Sequence, residues 1–308
     1  MYKLSLLICV VAFVACTSNP KETNTQTDST TVTTSSTDSA AVTNPKLSEY
    51  VQYLANLNDS TAESATKAAQ KFQEIFKGSS PALCDSAFVF FNTFYEKLGT
   101  RLDEVHASDT TNYDSLIVDP TAKPVPLSAK LTAYNQKLTQ NGFQVAMTEG
   151  TTYIKQDREL IAKWFYAMVS PTMKSYLTQL NKENKEGFAE DAGINIPITS
   201  LADRVIWWEK FNQTNPNFVF AERSKDLYQN YLFYLLKGMD NTASYYQDEA
   251  GKVAPDQEFM NAYTYVLSKH PNTETAKLVK PFQAALAQHD VKKAESLLKQ
   301  YQDQKIIQ

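Results

Sequence analysis

From residue 47 onward, apolar side chains recur along the chain at the three- and four-residue intervals of an amphipathic helix. Ala65, Ala69, Phe72 and Phe76 share one such face, preceded by Ser60-Thr61-Ala62-Glu63, which has the reciprocal capping-box pattern. Ser80-Pro81 and Ser170-Pro171 each set a cap-forming hydroxyl before a proline suited to a first helical turn, so helices are predicted to start there. The first of these is predicted to end at Leu98. Five of the eight glycines (Gly78, Gly99, Gly142, Gly187 and Gly238) follow apolar periodic stretches and read as helix stops. Further helices are predicted over 157–169, 172–186, 201–213, 218–236, 255–269, 273–288 and 291–301.

Two segments break this pattern. Residues 107–127 combine Asp, Thr and three prolines and read as a long surface loop or ordered strap. Phe143, Val145 and Met147 alternate with Gln144, Ala146 and Thr148, then Glu149-Gly150 offers a turn before Thr152-Tyr153-Ile154. A short β-hairpin near 143–154 is therefore expected between helices. Short connections between the later helices favour antiparallel neighbours, and the predicted class is all-α, built from packed αα-hairpins.

The last third contains an internal likeness. Phe211-Asn-Gln-Thr-Asn-Pro216-Asn-Phe-Val-Phe-Ala221, with Leu227 beyond, aligns with Val266-Leu-Ser-Lys-His-Pro271-Asn-Thr-Glu-Thr-Ala276, with Phe282 at the matching place. Each copy describes a helix that ends, a proline-bearing turn, and a second helix whose alanine permits close packing. The unit resembles the helix-turn-helix of tetratricopeptide-like proteins. That resemblance implies stacked helical pairs with an extended groove.

The N-terminus has a different character. Lys3 precedes an apolar run over residues 4–14, and Phe13-Val14-Ala15-Cys16 places a small residue directly before a cysteine. About eleven apolar residues are too few to cross a hydrocarbon core of roughly 30 Å, so a cleaved signal peptide is expected over residues 1–15. The run resembles the lipobox of bacterial lipoproteins, with Phe13 in place of the usual leucine. The resemblance implies that Cys16 carries the lipid, its thiol taking a diacylglyceryl group and its freed amine an acyl chain such as palmitate. Residues 16–46 are half Ser and Thr beyond that cysteine and lack aromatics, so they read as a disordered tether. Pulled straight, such a tether reaches roughly 100 Å. The expected organisation is signal peptide, lipidated tether, and a helical domain over 47–308 with a candidate subdivision near 142–157. Thr17 follows the cysteine where the better-known retention rule has Asp, so outer-membrane delivery in the cell envelope is expected.

Charge and chemistry narrow the function classes. A net charge of −4 leaves no basic surplus for nucleic acid. Cys84 lies in line with Ala87, Phe88, Phe91 and Tyr95 and reads as a small buried hydrophobe. His106, His270 and His289 are far apart and no HExxH, GxSxG, GxGxxG or GxxxxGK[ST] run occurs, so no metal, cofactor or catalytic set is legible. His106, near Asp103, Glu104 and Asp109, reads as part of a solvated helix end.

The strongest chemical cluster is Glu190-Asp191, then Asp203-Arg204 and Trp207-Trp208-Glu209. Carboxylates beside aromatic faces are what glycan-cleaving sites use. The helical stripes through Val205 and Trp208, and through Arg204, Trp207 and Phe211, instead make both tryptophans core residues. Tyr228, Tyr231, Leu232 and Leu235 likewise read first as core. The expectation is a membrane-tethered envelope lipoprotein that binds or scaffolds a protein or glycan partner. An envelope enzyme acting on glycan through Glu190, Asp191 and Glu209 is the alternative.

Overall fold

The computed structural model describes residues 44–117, 126–247 and 253–308. Cys16, the signal sequence and the tether as far as residue 43 lie outside the described residues, as does part of the 107–127 segment. Among the described residues there are eleven α-helices, and none is long and apolar enough to cross a membrane.

The fold starts at Asn44, whose side chain accepts from the amides of Lys46 and Leu47 and caps α1 (Pro45–Ala55). Helix α2 (Glu63–Phe76) buries Ala65, Ala69, Phe72 and Phe76 completely, as their spacing requires. Its capping box does not form. Ser64 Oγ donates to the Asn58 carbonyl and the Ser60 amide to Asn58 Oδ1, so the preceding turn consumes the polar groups and the helix enters uncapped at Ala62.

Helix α3 (Pro81–Ser108) is capped by Ser80 and runs straight through Gly99. A glycine inside a helix costs about 1 kcal/mol relative to alanine. Burial of Leu98 and Leu102 on the continuing turns outweighs that cost, and the ring of Phe143 lies 3.5 Å from where a Cβ would stand on Gly99. The other four glycines read as stops do sit at positive φ. A 3₁₀ turn (Asp114–Leu116) and helix α4 (Ala129–Thr139) follow.

The expected hairpin is present. Strands β1 (Phe143–Thr148) and β2 (Thr151–Gln156) pair antiparallel from Phe143↔Gln156 to Thr148↔Thr151. Glu149 and Gly150 both have positive φ, which suits a two-residue turn of the type that matches strand twist. Helices α5 (Glu159–Phe165) and α6 (Pro171–Glu186) come next, α5 stopping short of the predicted residue 169.

Beyond Gly187 the chain alternates long helices with very short hairpins. Strands β3 (Ala189–Glu190) and β4 (Gly193–Ile194) precede α7 (Ile198–Thr214) and α8 (Ala221–Lys237). Strands β5 (Gly238–Met239), β6 (Thr242–Ala243), β7 (Tyr245–Gln247) and β8 (Val253–Pro255) precede α9 (Gln257–Lys269), α10 (Glu274–Ala287) and α11 (Val291–Asp303). None of these three hairpins was predicted, because two or three residues per strand are too few to show alternation. The first two stand on contacts to one another: the Asn241 amide donates to Ala192 and the Ile194 amide to Thr242 Oγ1.

The protein is thus an all-α fold of packed helical pairs with small hairpin insertions. In the second copy of the internal likeness, Val266, Ala276 and Phe282 are all buried, whereas Ala221 and Leu227 of the first are half-buried. Two apolar clusters form the interior. The first joins α1 to α6 and the β1–β2 hairpin, with Phe165 packed against Phe72, Phe88 and Phe91. The second joins α7 to α11. Helix α7 serves both, giving Trp208 and Phe211 to the first and Leu201, Ala202, Val205 and Ile206 to the second.

Candidate functional site

Helix α7 also walls a cleft. Between α7, α8, the start of α10 and the turn after α11 lies a depression of about 360 Å³ with Tyr228, Leu278 and Ile306 as its apolar surface. That volume sits at the low end for small-ligand pockets. Lys225 and Lys305 stand at its edge, and neither ammonium has a hydrogen-bond or ion-pair partner among the described residues. The carboxylates nearby are occupied. Glu274 pairs with Lys277 at 2.6 Å. Glu209, buried at 4 % exposure, accepts from the amides of Glu274 and Thr275 at 2.8 and 2.9 Å and from Thr275 Oγ1 at 2.6 Å. A carboxylate placed there meets unpaired amide donors and the positive end of the α10 dipole, so it acts as a helix cap borrowed from another helix.

The other members of the predicted carboxylate and aromatic cluster go elsewhere. Glu190 faces the β1–β2 turn through long contacts to Thr148 Oγ1 and the Glu149 amide. Asp191 is exposed in the β3–β4 turn at positive φ. Asp203 accepts from the Tyr265 hydroxyl at 2.7 Å. Trp207 is half-buried and stacks on Phe211, while Trp208 is fully buried. Glu190, Asp191, Asp203 and Glu209 therefore make contacts on separate elements instead of converging.

What α7 does gather is a buried polar brace that sequence reasoning missed. Glu183 of α6 accepts from Gln179 Nε2 and Trp208 Nε1 on one oxygen and from the Tyr231 hydroxyl on the other. Burial pushes its pKa up, and hydrogen bonds from Gln179, Trp208 and Tyr231, with Arg204, hold it back. Arg204, 3 % exposed, donates to Glu186 at 3.0 Å and to the Gly187 carbonyl at 2.7 Å. The brace ties α6, α7 and α8 together. Its one sequence signal was Glu183 falling on the same helical stripe as Tyr176 and Leu180.

The remaining singled-out residues divide. Cys84 is buried among apolar neighbours, and burial raises its thiol pKa. His270 sits edge-on to Tyr265, and His289 contacts the Val253 carbonyl through Nδ1. Among the described residues no three His, Cys, Asp or Glu side chains are grouped to hold a metal. His106 corrects the sequence reading outright. It is 4 % exposed, with Nδ1 2.8 Å from the Tyr134 hydroxyl, Nε2 3.0 Å from Thr152 Oγ1, and its ring against Tyr113. The 109–116 segment and the hairpin close over the helix end and take it out of solvent, which local sequence does not report.

His106 gives a pH dependence of definite sign. Burial lowers its pKa, and the carboxylates of Asp103 and Asp109 and the Thr152 contact only partly oppose this. Hydrogen bonds from Thr111 and Tyr113 hold Asp109 down at about 2, so it stays ionised throughout. The unfolded chain thus takes up a proton near pH 6.5 that the folded chain resists. The stabilisation is complete above that pH and is lost as pH falls below it. Wild type should therefore melt at lower temperature at about pH 5 than at about pH 7.5, and His106→Gln should flatten the difference. Asp85 and Glu183, whose pKa values burial raises, oppose the trend equally in both proteins. Identical slopes for the two would show that His106 is not the group responsible.

No protein-family model, curated protein or solved structure matches this chain.

Proposed function

We propose that the protein is a lipid-anchored binding module of the bacterial cell envelope, held to the membrane through Cys16 and engaging a protein or glycan partner at the α7–α8–α10 cleft. The observation that carries the reading is the cleft's unequal charge state: its carboxylates are occupied within the fold, and the ammoniums of Lys225 and Lys305 are not. On a chain of net charge −4 this favours a partner with an apolar group beside a negative one. The scattered carboxylates favour binding over glycan cleavage. The Phe13–Cys16 run and the Ser/Thr-rich spacer before Asn44 support anchoring, and Thr17 supports the outer membrane.

A photo-crosslinking side chain at Gln213, on the cleft wall, tests the binding half in native membranes. A discrete adduct is expected, diminished by Lys225→Glu with Lys305→Glu and missing from a control at exposed Glu295. Equal adducts from both positions would overturn the assignment of the cleft. The anchoring half is tested in the same membranes by Cys16→Ala, which should abolish palmitate labelling and leave the protein soluble or unprocessed. At about 0.8 kcal/mol per buried CH₂, three acyl chains make an effectively permanent anchor. Labelling that survives the substitution would sink it.

A further inference from the structure

Away from the cleft, four side chains from four elements meet beside the first core: Glu96 of α3, Arg158 between β2 and α5, Tyr176 of α6, and Arg223 in the first turn of α8. Tyr176 is 1 % exposed, its ring enclosed by Trp208, Phe218 and Phe220. Its hydroxyl oxygen is buried and has no hydrogen-bond partner among the described residues. Arg158 donates one Nη2 bond to Gln156 at 3.2 Å, but its Nη1 is buried with no acceptor among the described residues. A buried donor left unpaired is costly, and a charged one more so.

The neighbours do not relieve these two groups. The Tyr95 hydroxyl, which also interacts with Arg158, is already given to the Gly142 carbonyl. Glu96 is 2.5 Å from Arg223 and so is engaged by the other arginine. Two guanidiniums and two carboxylates act on Tyr176, but Glu96 is taken by Arg223 and Glu183 by Gln179, Trp208 and Tyr231, so Arg158 has no carboxylate partner among the described residues. Burial raises the Tyr176 pKa to about 12, with Arg223 and Arg158 pulling against it, so the hydroxyl stays protonated and able to donate. Arginine stays protonated too, and its planar fork matches an oxyanion.

We infer that Arg158, Arg223 and the Tyr176 hydroxyl form a binding site for a small oxyanion, a carboxylate or an inorganic phosphate or sulfate, held between α6, α8 and the β2–α5 turn. An anion there supplies the acceptors that Nη1 of Arg158 and the Tyr176 hydroxyl lack, and it offsets the repulsion between the two guanidiniums. Because the site joins three elements, occupancy should be read as folding stability.

The test is a series of thermal melts of the full chain in chloride, phosphate and acetate at matched ionic strength. A saturable rise on the order of 3 °C is expected in the oxyanion buffer over chloride. The rise should fall by at least half in Arg158→Gln and in Tyr176→Phe. Response to phosphate alone assigns a tetrahedral anion, and response to acetate as well assigns a carboxylate site. If Arg158→Gln does not fold, Tyr176→Phe carries the test, since it removes one oxygen from a ring that stays buried. A rise that never saturates and is equal in wild type and variants is the general effect of excluded salts and would overturn the site. So would no rise at all, or a Tyr176→Phe protein that gains stability in chloride and keeps the full oxyanion response.

Discussion

Glu209→Ala is expected to destabilise the fold by about 2–4 kcal/mol, a fall in Tm of roughly 10 °C. The carboxylate is buried and accepts from two backbone amides and one hydroxyl at the start of α10, and from Gln213 Nε2 at 3.1 Å. Alanine leaves those donors with no acceptor from the protein, and the cleft that Glu209 lines offers only water in its place. A helix cap lost at the surface costs about 1 kcal/mol. The larger figure applies here because the cap comes from another helix and is buried at the joint. Glu209→Gln keeps the shape and one acceptor oxygen, so it should lose about half as much. Far-ultraviolet dichroism melts of the three proteins check the order; a Glu209→Ala protein that melts with wild type would mean that α10 is not capped in this way.

The second large effect is expected from Phe165→Ala, at about 3–5 kcal/mol. Phe165 has no exposed surface and lies 4.5–5.0 Å, ring to ring, from Phe72, Phe88 and Phe91. Truncation loses both the transfer free energy and the edge-on ring contacts, and three large neighbours cannot all collapse into the space. Phe165→Leu refills most of it and should cost less than half as much. The shape of the melt is informative as well. Helix α7 contributes to both apolar clusters, so loosening the first should bring down the second in one transition. Two transitions, with only the earlier one moved by the substitution, would show that α7 does not couple them.

Legibility in the sequence followed the range of the forces involved. The caps at Ser80 and Ser170 and the stops at Gly78, Gly142 and Gly187 depend on a few adjacent residues, and the structure has them where they were read. The β1–β2 hairpin was readable because six alternating positions and Glu149-Gly150 agree. Gly99 misled because a stop signal weighs about 1 kcal/mol and the apolar stripe on either side of it weighs more. The capping box at Ser60 failed to Asn58, a competitor two residues outside the pattern.

The candidate sites show the limit most clearly. Lys225, Tyr228, Leu278, Lys305 and Ile306 come from three parts of the chain, and nothing local distinguishes these two lysines from others on the surface. Nothing local marks Arg158, at the start of the helix predicted over 157–169, or Tyr176, within the one predicted over 172–186. Their significance is that each has a buried atom with no partner among the described residues, which is a property of what surrounds it in space.

The sequence by itself determined the helical class, the ends of most of its helices, the burial of Cys84 and Trp208, and the motif on which the Cys16 proposal rests. Periodicity, caps and a short linear motif are local, and each is satisfied within about one or two turns of chain. Only the tertiary structure decided that His106 is buried, that Glu209 caps a helix it does not belong to, and that α7 joins two cores. A buried polar group is stable only with partners, and in a fold of packed helices those partners arrive from elements tens of residues away.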